Sequence, residues 1–235
     1  IDETRPTTNK NAFIADGYRL LKVDTLDNRS ISDYILEQLL DGLRDTSAGA
    51  IVFADFRHGI FNQHTVPLLT EAIPNDVYRV ADSQVASRWG NITEFKSFDL
   101  ITPNEREARF ALGDQDSTVG TLSTLLIDAT GCKLLLLKLG ERGIFVSKPS
   151  NDPDTGGYFS IDSFAENVVD AVGAGDALLA YATLSMMATK DEIIASIIGS
   201  MAAACECEFD GNIPIKPSDV LSRIDKVANA ANYGN

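Results

Sequence analysis

Short apolar segments alternate with stretches of helical periodicity along most of the chain, and this alternation constrains the fold more than any other sequence feature. The predicted strands are 51–55, 77–82, 100–102, 133–139 and 144–147. The predicted helices are 31–43, 65–73, a helix that begins near Asn104, 118–130, 175–187, 191–207 and 218–231. Strands and helices in this order form a largely parallel sheet covered on both faces. Such sheets bind ligands at the carboxyl ends of their strands, where we expect the functional site.

Two local signals precede the first of these strands. Residues 11–23 are typical of two short strands joined at Asp16-Gly17, a dipeptide that favours a tight hairpin turn. Ser30 comes just before the first predicted helix, and its hydroxyl is a candidate N-cap. We therefore expect a small hairpin outside the main sheet, followed by a capped helix.

The composition excludes several classes of protein. Lys and Arg number 20 against 34 Asp and Glu, and the formal charge of −14 argues against binding to nucleic acid or to an anionic membrane. The longest uncharged apolar stretches, 177–189 and 193–205, are shorter than the roughly 20 residues that a membrane span needs. Three cysteines are too few for a disulfide framework, which favours a cytoplasmic location. No repeat or linker divides the chain, so we predict one domain over 1–235.

The strongest chemical signal is segment 170–176, Asp-Ala-Val-Gly-Ala-Gly-Asp, which directly precedes an apolar helix. At a helix start the N–H groups of Gly173, Ala174 and Gly175 have no partner within the helix, so they can form a cradle for a phosphate. Asp176 would then accept a proton from a hydroxyl that attacks phosphorus. We expect a bulky side chain at Gly175 to obstruct the phosphate and strain a left-handed turn. The alternative is a plain glycine turn in which Asp176 is only a helix-start charge.

A second signal follows the predicted strand 100–102. Asn104 begins a helix and shares a face with Glu107, so the pair can orient phosphate oxygens and the waters around Mg²⁺. The same two residues also fit a capping box, in which each side chain accepts the other residue's backbone N–H. Both interpretations stay open from the sequence.

The third signal is a glycine turn after the most apolar predicted strand. Segment 138–143 reads Lys-Leu-Gly-Glu-Arg-Gly, with glycines at Gly140 and Gly143. Taken alone, this pattern indicates only a tight turn between two elements of a sheet.

In this order and spacing, the three segments resemble the signatures of the ribokinase-like carbohydrate kinases of the phosphofructokinase B type. Segment 170–176 is similar to the family's D-T-x-G-A-G-D, with Ala171 in place of Thr. Segment 102–107 contains the family's N-x-x-E, and segment 138–143 is similar to T-L-G-x-x-G, with Lys138 in place of Thr. The resemblance implies an α/β ribokinase-like fold with a central, mostly parallel sheet between helices. It also implies transfer of the γ-phosphoryl group of ATP to a sugar hydroxyl in the presence of Mg²⁺.

The resemblance assigns a role to each matching residue. Asp176 would be the catalytic base, and Gly173, Ala174 and Gly175 would form the anion hole. The nucleotide would be held by Asn104, Glu107, Lys138, Gly140, Glu141, Gly143 and Gly175. Glu107 would also be the residue that holds the magnesium ion.

One branch of the family matches further. Residues 5–10, Arg-Pro-Thr-Thr-Asn-Lys, look like the R-P-T-T-x-K stretch of the heptose 7-phosphate kinases, whose domain is often joined to a nucleotidyltransferase. Segment 55–59 lies where that branch carries D-Y-x-K-G, although Arg57 and His58 replace the usual neighbours. The branch implies a sugar or sugar-phosphate substrate, a lid hairpin over 5–23, and a homodimer formed through lid strands.

The resemblance extends from Arg5 to about Gly211 and covers the later two-thirds of a typical member. The family's first sugar-binding strands have no counterpart, so we expect a longer polypeptide before Ile1. We also expect the 235-residue chain to bind Mg·ATP or Mg·ADP but to phosphorylate sugars poorly, because orienting the acceptor supplies much of the rate.

Two other functions stay open from the sequence. One is a non-catalytic module that binds a nucleotide or sugar nucleotide and regulates an attached or partner enzyme. It is favoured by the missing counterpart of the family's first strands, by Lys138, and by Met201, which stands where many relatives place an Asn near the adenine. The intact Asp176 argues against that module. The other alternative is a related kinase that acts on a nucleoside or a vitamin alcohol.

Overall fold

The computed structural model describes residues 2–16, 18–84, 91–150, 157–211 and 213–233, so Gly17 of the predicted turn lies outside the described residues. The strands are β1 (Asn9–Ala15), β2 (Tyr18–Thr25), β3 (Ala50–Asp55), β4 (Tyr78–Ser83), β5 (Leu100–Ile101), β6 (Leu134–Lys138), β7 (Ile144–Ser147) and β8 (Tyr158–Ile161). The helices are α1 (Asp33–Arg44), α2 (Thr65–Ala72), α3 (Glu105–Leu112), α4 (Val119–Thr130), α5 (Ala174–Thr189), α6 (Glu192–Cys207) and α7 (Pro217–Tyr233). None of the helices in the described ranges is long and apolar enough to cross a membrane.

Six strands form the main sheet, in the order β3-β4-β5-β6-β7-β8. The first four run parallel, whereas β7 and β8 are antiparallel to their neighbours. The register pairs Ala81 of β4 with Ile101 of β5, and Ile101 with Leu135 of β6. The carboxyl ends of β4, β5 and β6 therefore meet at one edge of the sheet, as the sequence predicts for a parallel sheet.

Strand β6 determines where the core lies, since four of its five residues are buried. Its side chains alternate between the two faces of the sheet. Leu135 and Leu137 belong to the cluster that includes buried residues of α1 to α4, and Leu134 and Leu136 pack with those of α5. Covering both faces in this way buries the sheet and leaves its strand ends open to ligands.

Two details differ from the sequence prediction. The side chain that caps α1 is Ser32 and not Ser30, because the Oγ of Ser32 accepts a hydrogen bond from the N–H of Ile35 at 3.4 Å. Ser30 lies two residues too early and faces the amide of Asn62 instead. Strand β8 is missing from the sequence prediction, because its residues favour a strand but four of them are too few to establish a period.

The hairpin of β1 and β2 is a sheet of its own, as predicted. All seven residues of β1 are exposed, so the hairpin lies outside the core. The guanidinium of Arg5 donates to the backbone carbonyls of His58 (3.2 Å) and Arg29 (2.5 Å). Gly59 makes this junction possible, because it has a φ of +91° and a Cβ there would lie 1.9 Å from the carbonyl oxygen of Arg29. The segment before the hairpin is thus anchored to the loop that follows β3.

Candidate active site

The carboxyl ends of three neighbouring strands bring an acid, a hydroxyl and an amine together. The Nζ of Lys138, at the end of β6, lies 3.0 Å from Oδ1 and 3.3 Å from Oδ2 of Asp82 in β4. Thr102, just after β5, donates its hydroxyl to the same Oδ1 at 3.0 Å. Asp82 and Thr102 are both buried. A buried carboxylate that accepts two such bonds is held in one orientation.

Sequence reasoning did not assign Asp82 or Thr102 to the site. An acid at the end of a strand is commonly just solvated, and the partner of Asp82 lies 56 positions further along the chain. The available signal was weak: Asp82 and Thr102 occupy equivalent positions at the ends of two predicted parallel strands.

Helix α5 begins beside this cluster with an open N-terminus. Its N-cap is Gly173, which has a φ of +92° and no side chain to bond the first-turn N–H groups. The N–H of Ala174 donates to the backbone carbonyl of Ala171 at 3.4 Å, so this member of the predicted anion hole already has a partner. The other first-turn N–H groups and the helix dipole make this end attractive to an anion. The left-handed backbone that requires glycine is therefore at Gly173. The expectation of a left-handed turn at Gly175 is wrong, because Gly175 has no positive φ, so a side chain there would not strain the backbone. A Cβ at Gly175 would instead lie 3.2 Å from the Nζ of Lys138.

Asp176 lies in the first turn of α5 and is exposed to solvent. Partial desolvation raises its pKa above that of an ordinary aspartate, and the nearby Asp82 raises it further. Lys138 and Lys10 of the hairpin oppose this rise. Asp176 thus has charged neighbours from both the main sheet and the hairpin.

Asn104 and Glu107 form the capping box that was one of the two sequence interpretations. Asn104 donates its backbone N–H to Oε2 of Glu107 at 2.7 Å, and Glu107 donates its backbone N–H to Oδ1 of Asn104 at 2.8 Å. Burial raises the pKa of Glu107, while Lys138 opposes that rise. Within the described part of the chain, Oε1 of Glu107 makes no hydrogen bond.

This donor set fits Mg²⁺ only as a partner of bound phosphates. Among the described residues there is no cluster of three or more His, Cys, Asp or Glu side chains that could hold a metal ion. Magnesium in phosphoryl-transfer sites is commonly bound by one or two carboxylates, water and the substrate's phosphates. The free oxygen of Glu107 meets that requirement, so capping and metal binding are compatible at this residue.

Gly140 and Gly143 have different structural reasons to be glycine. Both have positive φ values, +65° and +82°. A Cβ at Gly140 would meet open space, but one at Gly143 would lie 2.0 Å from the carbonyl oxygen of Ile161. Gly143 therefore lets the loop pack against the end of β8, and Gly140 only makes the turn.

Two cavities meet at the end of β6. One, of about 420 Å³, is lined by residues that include Asn104, Lys138 and Gly140. The other, of about 340 Å³, is mostly apolar and lies between the loop after β6 and helices α5 and α6. Its lining includes Lys138, Gly140, Glu141, Gly143, Ala174 and Gly175. Most of the residues assigned to the nucleotide therefore line one or other of these cavities, and Lys138 and Gly140 line both.

Three of the assigned residues, Glu107, Gly173 and Asp176, are not among the lining of either cavity. Met201 is also outside it, since this side chain is buried with Ala202 and Val220. Met201 therefore belongs to the core that packs α6 against α7.

The hairpin contributes a further cation, Lys10, beside the loop that follows β3. The Nζ of Lys10 lies 5.4 Å from the centre of the Phe56 ring, and the hydroxyl of Thr8 lies 3.5 Å from Nδ1 of His58. Arg57, between those two ring residues, is buried and pairs with Asp55 and Glu94 at 3.0 and 3.2 Å. Arg57 therefore stabilises the loop, while Lys10 and His58 lie on the hairpin side.

The comparison with protein families decides which family this chain belongs to. The sequence profile of the pfkB family carbohydrate kinases matches residues 59–218. The chain belongs to the pfkB family of carbohydrate kinases. This match contains all three signature segments, from the residues after β5 to the start of α5.

Two curated relatives are both called bifunctional protein HldE. The one from Pelobacter propionicus is 23% identical over 231 residues, covering 95% of this chain and 45% of the relative. The one from Helicobacter hepaticus is 25% identical over 235 residues, covering 95% of this chain and 46% of the relative. This chain thus spans slightly less than half the length of these relatives.

Solved structures confirm the ribokinase-like fold. The ribokinase from Giardia lamblia superimposes with a TM-score of 0.71 at 17% identity, covering 95% of this chain and 72% of that one. The Arabidopsis thaliana ribokinase, solved with ribose and ATP, superimposes with a TM-score of 0.66 at 21% identity, covering 93% and 69%. This chain thus spans about seven-tenths of the length of each of these ribokinases.

Proposed function

We propose that this chain is a kinase domain that transfers the γ-phosphoryl group of Mg·ATP to a hydroxyl of a sugar phosphate, most similar in function to the heptose 7-phosphate kinases. The observation that carries this proposal is the position of Asp176, in the first turn of an uncapped helix and beside Lys138. A phosphate bound at that helix start would place its phosphorus near a carboxylate that can accept the attacking hydroxyl's proton.

Phosphoryl transfer depends on positioning and electrostatic stabilisation more than on covalent chemistry. The first-turn N–H groups of α5 are fixed in place before the ligand arrives, so they need no reorganisation to meet a developing negative charge. The raised pKa of Asp176 makes its carboxylate a better base near neutral pH than an ordinary aspartate. Magnesium, when bound, neutralises charge on the phosphates, and Glu107 is the residue that would hold it.

A phosphorylated acceptor is supported by the charges on the hairpin side. Although the chain carries a net charge of −14, Lys10 and His58 lie together near the anchored start of the hairpin. Lys10 is close enough to Asp176 to lower the pKa of that carboxyl, against the rise caused by burial. An acceptor between the hairpin and α5 would therefore meet the ammonium group of Lys10 and the ring N–H of His58, donors that suit a phosphate.

The wider setting of the domain is also proposed from its relatives. The curated relatives are bifunctional and about twice as long, which supports a nucleotidyltransferase joined to this kinase domain. The hairpin exposes apolar side chains on both of its faces, which supports a homodimer through this lid. A cytoplasmic location fits a kinase that uses ATP and has free cysteines.

An ADP-release screen across sugars and sugar phosphates tests the function. We expect turnover with a heptose 7-phosphate or a related sugar phosphate, and none with Asp176→Asn. The Asp16→Asn variant is a matched control, because it removes the same charge from the hairpin turn. Binding of Mg·ADP without turnover of any acceptor would instead support a regulatory nucleotide-binding module.

A further inference from the structure

The loop that follows β3 has one face in the core and one face toward the hairpin. Asp55, Arg57 and Gly59 are buried, whereas Phe56 and His58, which alternate with them, are half-buried. These two half-buried rings are the ones that lie on the hairpin side. The contacts that hold the buried face therefore determine where the two rings lie.

Arg57 fixes the buried face through groups that are distant in the sequence. Its Nη2 donates to the hydroxyl of Ser83 at the end of β4 at 2.7 Å, and its Nη1 donates to Oε2 of Glu94 at 3.2 Å. Its Nε lies 3.0 Å from Oδ2 of Asp55, an oxygen that also accepts the Ser83 hydroxyl. The planar guanidinium thus contacts three segments at once, which the compact ammonium group of a lysine cannot do.

The backbone of Arg57 has a conformation that this network maintains. Its φ is +60°, in the left-handed region that residues other than glycine rarely adopt. Its own N–H donates to Oδ1 of Asp55 at 2.7 Å. Such a backbone persists where the surrounding contacts over-determine it, and it commonly occurs at functional sites. The loop therefore keeps a shape that depends on Arg57.

The outer face of the loop leads to the candidate base. The Nζ of Lys10 in β1 lies 5.4 Å from the centre of the Phe56 ring, a cation–π contact. Burial raises the pKa of Asp176 and Lys10 is one of two lysines that oppose this rise, so its ammonium group lies near the start of α5. Arg5 joins the loop to the hairpin a second time, by donating to the carbonyl of His58 at 3.2 Å.

We propose that Arg57 is a positioning residue for the acceptor: by fixing the loop after β3, it places Lys10 and His58 where they bind the acceptor's own phosphate. It thereby sets the preference for a phosphorylated sugar. Only 2% of the Arg57 side chain is exposed, so it acts through its neighbours and not by contact with the acceptor. This inference rests on the proposed function, because it assumes that a sugar phosphate is the acceptor.

The charges around Arg57 decide which variant tests this role. One guanidinium faces two carboxylates, Asp55 and Glu94. Burial raises the pKa of Asp55, and the charge of Arg57 opposes that rise. Removing the charge would leave buried acids without their partner, which is strongly destabilising. Arg57→Lys keeps the charge and loses only the planar fork, so it changes the geometry of the loop in a folded chain.

ADP release is measured with heptose 7-phosphate and with the same heptose without its phosphate, on the longest natural polypeptide that contains this chain. A phosphate that does not react binds equally in the ground state and the transition state, so weaker binding of it appears in KM. We expect Arg57→Lys to raise the KM for heptose 7-phosphate roughly 10- to 100-fold and to keep kcat within about threefold. For the unphosphorylated heptose kcat/KM should stay within about twofold, as should the affinity for Mg·ADP.

Arg79→Lys is the matched control. Arg79 lies near the start of β4, at the opposite end of the strand from Ser83, and its guanidinium donates to the carbonyl of Ile73 at 3.0 Å. The same substitution removes a planar fork there too. We expect both variants to melt a few degrees below the unmutated chain, but Arg79→Lys should keep the KM for heptose 7-phosphate within about twofold.

Lys10→Met provides a second measurement, on an exposed residue whose replacement leaves the core intact. It should raise the KM for heptose 7-phosphate as Arg57→Lys does. The effect of combining the two changes should be smaller than the product of the separate effects, because both act through the same contact. Fully independent effects would overturn the proposal.

A purely structural role for Arg57 would give a different pattern. In that case Arg57→Lys would lower the melting temperature without raising the KM for heptose 7-phosphate, or it would lower kcat/KM equally for both heptoses; either result would overturn the proposal. Both results leave turnover by the unmutated polypeptide intact. If the unmutated polypeptide released no ADP with any sugar phosphate, the proposed function itself would fail.

Discussion

Glu107 offers a test that separates helix capping from magnesium binding. Its Oε2 accepts the backbone N–H of Asn104 at 2.7 Å, and the free Oε1 is the proposed metal ligand. Gln at this position can still accept that N–H, since capping boxes use Glu or Gln, but it is a much poorer magnesium ligand. Ala loses both functions. The pair Glu107→Gln and Glu107→Ala therefore isolates the metal role.

The expected stability changes follow from the buried capping box. Loss of the cap in Glu107→Ala should cost about 1 kcal/mol, or roughly 2–4 °C in melting temperature for a chain of this size. Because burial raises the pKa of Glu107, its carboxyl stabilises the fold most at low pH, and that contribution is lost as the pH rises through the raised pKa. At pH 7 the neutral Gln avoids this loss, so Glu107→Gln should melt at the same temperature as the unmutated chain or higher.

The assay is ADP binding measured with and without Mg²⁺, together with melting curves. In both variants the affinity for ADP in the presence of Mg²⁺ should fall by roughly 10-fold, while the affinity for ADP alone is little changed. If Glu107→Gln kept the full magnesium effect, Glu107 would not hold the metal. If Glu107→Gln melted as low as Glu107→Ala, the capping argument would be wrong.

Three further predictions concern single positions. Asp176→Asn should keep Mg·ADP affinity while lowering turnover by a factor on the order of 10²–10⁴. Because burial raises the pKa of Asp176, the acid limb of the kcat/KM profile of the unmutated enzyme should lie above the usual aspartate pKa. Turnover within a few-fold of the unmutated enzyme would exclude Asp176 as the base. Gly143→Ala should lower the melting temperature far more than Gly140→Ala, because a Cβ at position 143 would lie 2.0 Å from a carbonyl oxygen. Gly140→Ala should cost only about 1–2 kcal/mol, for its left-handed backbone. Equal losses would contradict this packing. Cys207, the half-buried cysteine in the lining of the 340 Å³ cavity, should react with a thiol reagent more slowly when Mg·ADP is present; an unchanged rate would place the nucleotide elsewhere.

The sequence predicted the order of the elements well, for local reasons. The helices have strong periodicity or clear caps, as at α6, where the side chain of Asp191 accepts the N–H groups of Ile193 and Ile194. Strand β6 is a continuous apolar run, which is typical of a strand buried on both faces. Such signals depend on neighbours in the chain, so single-sequence reasoning detects them.

The parts that were missed depend on distant contacts. The role of Asp82 appears only when β4 and β6 are placed on either side of β5, which brings it to Lys138. The burial of Met201 depends on the packing of α6 against α7, and a family pattern alone places that residue near the adenine. Ser30 and Ser32 both fit an N-cap pattern, and only the backbone geometry selects Ser32.

Transfer of label from γ-³²P ATP to a sugar phosphate tests the central claim most directly, because it distinguishes transfer to a hydroxyl from hydrolysis of ATP. The measurement should be made on this chain and on the longest natural polypeptide that contains it, each with and without Asp176→Asn. We predict that the longer polypeptide transfers label to a doubly phosphorylated sugar in an amount equal to the ADP formed, that this chain alone does so weakly, and that Asp176→Asn nearly abolishes the labelling. Binding of Mg·ATP without labelling of any sugar or sugar phosphate, or labelling that does not depend on Asp176, would contradict the account.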